Sequence, residues 1–339
     1  MCNFVILEKK TSTDCMNNSV YLYSSQEIVI ERLHLCTWDV RGGKTRFELG
    51  IEISNDPKHQ LSESFQVSVH LPFTICKENV KSLHKSLCDE KISRYIFNDI
   101  ISSSDIIDED PMRGKVLHFK ERGDLAIIPA KIVEGPTDEL TFDINPNTIK
   151  FNLYLRVLIE LNETTIAIKK KGIAKNSYIF DFKINERRNM PEELVTHINS
   201  SDLIKVRHVF LFHVVPDTYN IDFYDSNKFK SIRKIEKDVF AGYTGIKELR
   251  DTDHIILFNK ESNKESYSFY TCFSSEIIGI KQVVLAIGAN ILCSLLFAIP
   301  GLRLNWNSGE RWYIQFPWEW CLALLVLVLL IGHVCKKGN

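Results

Sequence analysis

The sequence predicts a mainly β soluble region, β-sandwich-like and built as two units with a few helices, followed by a C-terminal transmembrane hairpin of two helices. Three observations carry this prediction. Long segments between residues 32 and 273 alternate apolar and polar side chains with the two-residue period of a strand. Two apolar stretches, 283–299 and 318–334, each approach the roughly 17–25 residues that a helix needs to cross a bilayer. A turn cluster, Asp143-Ile-Asn-Pro-Asn-Thr148, divides the soluble part. The expected domains are therefore 1–145, 146–277 and the membrane region 278–339.

Taken in order, RLHLCTWDV (32–40) and KTRFELGIEIS (44–54) flank an Arg-Gly-Gly turn and read as a long hairpin. FQVSVHLPFTI (65–75) reads as a third strand. The period then changes. Val80, Leu83 and Leu87 predict a helix over 77–89, and Ile92, Tyr95, Ile96 and Ile100 one over 91–102. Strands are expected again at 115–119, 126–129 and 140–144. Beyond the turn cluster, strands are expected at 149–161, 165–169, 177–184, 204–215, 220–224, 254–259 and 266–273. Met190-Pro191-Glu-Glu opens a short helix to about residue 198.

The membrane helices are expected at about 282–300 and 317–335. Trp306, Trp312, Trp318 and Trp320 cluster in or beside the loop between them, where aromatic side chains anchor a protein at the membrane–water boundary. Gln282, Ala286, Ala289, Asn290, Cys293 and Ser294 share an arc of about 140° at 100° per residue. Lipid leaves a mid-bilayer amide unsatisfied, so this stripe is expected to face protein or water: packed on the second helix, packed between copies, or lining a pore in an assembly. Lys281, Lys336 and Lys337 lie on one side of the hairpin and Arg303 and Arg311 on the other. With no signal-peptide pattern in MCNFVILEKK, the reading is a two-pass integral membrane protein with both termini cytosolic, in the inner membrane if bacterial.

The five Lys/Arg and two Asp/Glu from residue 278 onward leave 37 basic against 41 acidic side chains in residues 1–277, a net charge of −4. That balance does not fit a nucleic-acid binder. Nine cysteines at irregular spacing, with no C-x-x-C, read as scattered reduced thiols.

Motifs with chemistry are scarce. Gly42-Gly43-Lys44-Thr45 ends like a P-loop, but Trp38 stands where the motif needs its first glycine, and a strand follows. His208 and His213, five apart on one strand, point to opposite faces and do not converge on a metal. The run Asp105-Ile-Ile-Asp-Glu-Asp110 reads as a solvated loop. No catalytic or metal-ligating residue and no cofactor is therefore expected. The best ligand candidates are Lys228, Lys230, Arg233, Lys234 and Lys237, which as a helix would show a basic face suited to anionic headgroups or a phosphate-bearing ligand.

The expected function is a membrane-anchored, non-enzymatic sensor or effector. Its cytosolic part binds a ligand or protein partner, and its hairpin associates between copies and perturbs the bilayer. The alternatives are a passive membrane-tethered adaptor and a tethered enzyme of unfamiliar type.

Overall fold

The structure, a computed structural model, describes residues 19–40, 45–55, 61, 64–110, 112–146, 149–161, 166–172, 175–198, 203–276, 283–284, 286–291 and 294. It is mainly β with few helices. Up to residue 97 the elements are β1 (Ser19–Ser24), β2 (Val29–Trp38), β3 (Arg46–Ile53), β4 (Phe65–His70), β5 (Val80–Ser82), α1 (His84–Leu87) and α2 (Glu90–Phe97). Next come β6 (Ile101–Ile106), β7 (Lys115–Phe119), β8 (Asp124–Ile127), β9 (Lys131–Val133), β10 (Glu139–Ile144), β11 (Asn152–Glu160), β12 (Ile168–Lys171) and β13 (Lys175–Ile184). The remainder is α3 (Glu192–His197), β14 (Lys205–Pro216), β15 (Tyr219–Tyr224), β16 (Phe229–Lys234), α4 (Lys237–Thr244), β17 (His254–Ser262) and β18 (Tyr267–Glu276).

These strands form two sheets. One runs β15-β18-β13-β1-β4-β10-β9, with β12 paired to β13; the other runs β16-β17-β14-β2-β3-β11-β8-β7-β6, with β5 paired to β11. Both sheets take strands from either side of residue 145. One join in each sheet is parallel: Val20 lies opposite Ile184 in the first, and Leu35 opposite Leu211 in the second, where β11 also pairs antiparallel with β3 and parallel with β8. In each half the chain lays one strand in the first sheet, two in the second and a return strand in the first (β1–β4; β13, β14, β17, β18). The β15–β16 connection is inserted into the second pass.

Alternation decides which side chains meet. On β3, Phe47, Leu49, Ile51 and Ile53 point inward; on β11, Leu153, Leu155, Val157 and Ile159 do the same. They meet Val67, Val69, Phe142, Phe180 and Phe182 of the first sheet in one core. Phe47 and Phe182 stack across it at 6.0 Å and 17°. Cross-sheet packing of this kind is the sandwich that the alternation predicts.

The second sheet buries its outer face too. Leu83, Leu87, Phe240, Tyr243 and Leu249 come from α1, α4 and the segments beside them. They pack on Trp38, Leu117, Ile127, Tyr154 and Val214 in a separate cluster. The helices around 77–102 are shorter than the sequence predicts. Residues 80–82 pair as a strand with Val157–Ile159 of β11, so helix begins only at His84. The Asp89 side chain caps α2 by accepting from the Lys91 and Ile92 amides, at 2.8 and 3.4 Å. Asn98 ends the helix at φ 51°, and the chain turns into β6 instead of continuing to residue 102.

A unit of residues 1–169 and 178–274 holds most of the strands, and residues 170–177 and 275–339 form the other unit. In it, residues 283–284, 286–291 and 294 are helical, and the Ser294 hydroxyl donates to the Asn290 carbonyl at 2.9 Å. No helix among the described residues is long and apolar enough to cross a membrane. Most of the expected first span and all of the second lie outside the described residues, with Gln282, Cys293, Trp306, Trp312, Trp318 and Trp320.

Candidate functional site

Polar chemistry concentrates on the outer face of the larger sheet. The residues that alternation turns outward there are Arg32, His34, Cys36 and Trp38 on β2, Glu48, Gly50 and Glu52 on β3, and Tyr154 and Arg156 on β11. Register sets His34 and Arg156 on either side of Gly50. Glu48 is fully buried. It accepts a hydrogen bond from Trp38 Nε1 at 2.8 Å and another from the Tyr243 hydroxyl on α4. Arg156 Nε closes on the same carboxylate as an ion pair, though its N–H is not aligned as a hydrogen bond. Arg156 Nη1 donates to the Tyr154 hydroxyl at 3.1 Å, and that hydroxyl lies 3.1 Å from His34 Nδ1. A Cβ at position 50 would collide with the Tyr154 hydroxyl, so glycine is what admits this chain of contacts.

Burial opposes the Arg156 charge, but Glu48, Tyr154 and Tyr243 beside it push its pKa well above the usual value. Burial raises Tyr154 to about 12 and lifts Tyr243 as well. Burial, and then Glu48, push the Cys36 thiol up, the reverse of what activates a nucleophile. His34 falls well below its ordinary value because it is buried and because Arg156, Arg122 and Arg32 surround it with positive charge. The Glu48 cluster is thus held together by hydrogen bonds from Trp38 and Tyr243 and by the ion pair with Arg156. It fastens α4 to the sheet and presents no activated group.

A second buried carboxylate, Glu52, is shared by two guanidiniums. It pairs with Arg32 at 3.2 Å and Arg122 at 2.6 Å, and accepts from Asn152 Nδ2 at 3.0 Å. Arg122 also lies over the Phe97 ring at 4.6 Å and the Phe119 ring at 5.2 Å. The Asp99 carboxylate adds its field to that of Glu52 at Arg122.

These guanidiniums border a cleft of about 600 Å³ between the C-terminal turn of α2 and the sheet. Its floor is Phe210 and Phe212 of β14, Phe258 of β17 and His34 of β2; Arg32, Arg122, Arg233 and Lys260 supply its cations. A narrower hollow of about 60 Å³ lies next to it, toward Trp38 and Glu48. Space of about 300–1,000 Å³ is what small-ligand sites occupy. Asp99 also lines the cleft, but its carboxylate is turned to backbone, accepting from the amides of Ile100, Glu121 and Arg122 at 2.7, 3.3 and 2.9 Å.

Of the five basic residues singled out in the sequence, only Arg233 reaches this cleft. Their segment is not one helix: 229–234 is an edge strand and α4 starts at Lys237. Pairing with β17, from Phe229 opposite Asn259 to Lys234 opposite Ile255, overrides the helical spacing. Lys228 and Lys230 border a different hollow with Asp225 and Glu261, and Lys228 lies 3.2 Å from Asp225 and 3.6 Å from Glu261. Lys234 lies 3.6 Å from Asp217 and 3.4 Å from Asp253, and Lys237 lies 2.6 Å from Asp253. Arg233 pairs with Glu236 at 2.8 Å on the surface.

His208 and His213 do face opposite ways. His208 Nδ1 meets Ser262 at 2.8 Å, whereas His213 sits in the inter-sheet core, 2.8 Å from Thr37 and against Phe180. Among the described residues no three His, Cys, Asp or Glu side chains converge to hold a metal. In the acidic run, Asp105 pairs with His118 and Asp108 with Arg113. Ala286, Ala289, Asn290 and Ser294 of the stripe are exposed on the described helix, as are Val283 and Ile287.

The sequence reading passed over Arg32, His34, Arg122, Phe210, Phe212 and Phe258. One signal was present. VRHVFLFHVV carries large apolar side chains on both alternating faces, and a strand of that kind is covered on both sides. No protein-family model matches this chain, and no curated protein is detectably similar to it.

Proposed function

We propose that the protein is a membrane-anchored, non-enzymatic sensor or effector. Its β-rich region binds a small ligand in the cleft beneath α2. Its C-terminal hairpin holds it in the bilayer as a two-pass protein with both termini cytosolic and associates between copies, ligand binding altering that association. The single observation that supports the binding role is the cleft itself, with partly exposed aromatic rings on its floor and guanidiniums at its edge. Membrane anchoring is supported by the two apolar stretches and their tryptophan-rich loop. A switch of this type requires two states of association that the ligand binds unequally.

The test uses the full-length protein in detergent and a deproteinised cell extract. A ligand present in that extract raises the thermal midpoint and changes the particle size of the wild type. It does neither for Ser231→Trp, which places a large ring at the cleft wall. An unshifted midpoint and a particle of constant size sink the proposal.

A further inference from the structure

We infer that the cleft takes a nucleotide: a planar base stacked on the Phe210–Phe258–Phe212 surface, with its phosphate held by Arg32, Arg122, Arg233 and Lys260. This identification rests on the binding role proposed above and names the ligand's chemistry.

The stacking surface follows from strand geometry. Phe210 and Phe212 are two apart on β14 and share a face, and Phe258 is the register partner of Phe212 on β17. Phe258 lies 4.7 Å from Phe212 at 12° and 5.8 Å from Phe210 at 6°. His34 adds a fourth ring from the next strand, 4.8 Å from Phe210. The three phenyl rings thus stack, nearly parallel, on one another as a stepped aromatic platform that a planar base would extend, and all three stay partly exposed on a face whose neighbouring region is buried beneath helices. Stacking a base on such rings contributes about 1–3 kcal/mol per base whatever the base.

Four cations, Arg32, Arg122, Arg233 and Lys260, line the cleft. Arg32 and Arg122 share Glu52, and their ion pairs fix both guanidiniums before any ligand arrives. A fork held in place loses little entropy when it takes a phosphate. Lys260 Nζ stands 5.2 Å over the Phe210 ring, at the edge of the platform. Arg233 pairs with Glu236 on the surface, a contact worth little and readily exchanged for phosphate. The opposing carboxylates are Glu121 and Asp99, which line the cleft, Asp99 keeping its charge while it accepts from backbone amides, together with Glu52 and Glu236 in their ion pairs. His34, held neutral by burial and by the surrounding arginines, registers the same positive potential at the floor.

The test is direct titration of the full-length protein in detergent at low salt with adenosine monophosphate, adenosine and inorganic phosphate. Adenosine monophosphate is expected to bind at least about tenfold more tightly than either part alone, since both stacking and charge contribute. Lys260→Gln and Arg233→Gln, both at accessible positions, are expected to weaken it about three- to tenfold each, and more at low salt than at high. Phe258→Leu is expected to weaken adenosine and its monophosphate equally and to leave phosphate unchanged. Phosphate binding as tightly as the nucleotide, or variants binding like the wild type, overturns the assignment. If cell extract shifts the midpoint but the nucleotide does not bind, the ligand class is wrong and the binding role stands; if neither acts, both fall.

Discussion

At the scale of single residues, Glu48 has the largest consequence. Its carboxylate is shared by Trp38, Tyr243 and Arg156, which come from β2, α4 and β11. Glu48→Gln leaves the Arg156 guanidinium buried with no counter-charge, so a loss of about 3 kcal/mol is expected in denaturant unfolding. Adding Arg156→Met removes the stranded charge and recovers part of that loss; equal losses in the single and double variants would sink this account. His213 sets a pH limit. Burial lowers its pKa from 6.5 to about 3, so below about pH 6.5 the unfolded chain takes up a proton that the folded one refuses. His34, also lowered well below 6.5, acts in the same direction. Stability should therefore fall between pH 6.5 and pH 3 by as much as about 1.4 kcal/mol per pH unit for His213, with His34 steepening the fall. A midpoint flat across that window refutes the assignment of neutral buried rings. The residues of this site were hard to read in advance for a definite reason. Alternation in RFELGIEI marks Glu48 and Glu52 as the polar, outward set, and outward normally means solvent. Trp38, Cys36 and His34 on the same face were the sign that something covers it.

At the scale of elements, the hairpins were legible and the short helices were not. The β2–β3 pair keeps the expected partners because RFELGIEI alternates cleanly along β3 and β2 matches it residue for residue from Arg32 to Trp38, beyond a bulge at Ile30. Residues 77–89 mislead because Val80 and Leu83 have helical spacing, yet Val80 is held in a strand by β11 while Leu83 turns into the helix-side cluster. Residues 228–237 mislead in the same way, since edge pairing with β17 is a tertiary event that no local period reports. One element boundary carries a testable charge clamp. His118 on β7 lies 2.9 Å from Asp105 on β6 and 2.8 Å from Asp124 on β8, and these hydrogen bonds raise its pKa. The clamp is fully present below the unfolded value near 6.5 and is lost as pH rises through the raised folded value. The stability advantage of the wild type over His118→Gln should thus be greatest at about pH 6 and shrink by about pH 9. An advantage of constant size would mean that the histidine acts through packing alone.

At the scale of the whole molecule, interleaving decides how the chain folds. The sandwich class follows from alternation, but which strands become neighbours does not, because the joining pairs β1–β13 and β2–β14 link residues more than 160 positions apart. Those pairs are parallel and central in their sheets, so closing them requires long loops to be ordered before much area is buried. Cutting the chain after residue 145 removes β14 from one side of β2 and β11 from one side of β3. It also removes Leu153, Leu155, Val157, Phe180 and Phe182 from the core they share with Phe47 and Val67. Two sheet edges and the inward face of each fragment would then meet water, a condition that drives aggregation rather than independent folding. Expressed separately, fragments 1–145 and 146–276 are expected to be insoluble or to lack near-ultraviolet dichroism. Co-expressed, they are expected to form a complex that unfolds in one transition, because neither fragment holds a core that closes without the other. Two fragments that each fold alone, with sharp and separate transitions, would show that the parallel joins are dispensable.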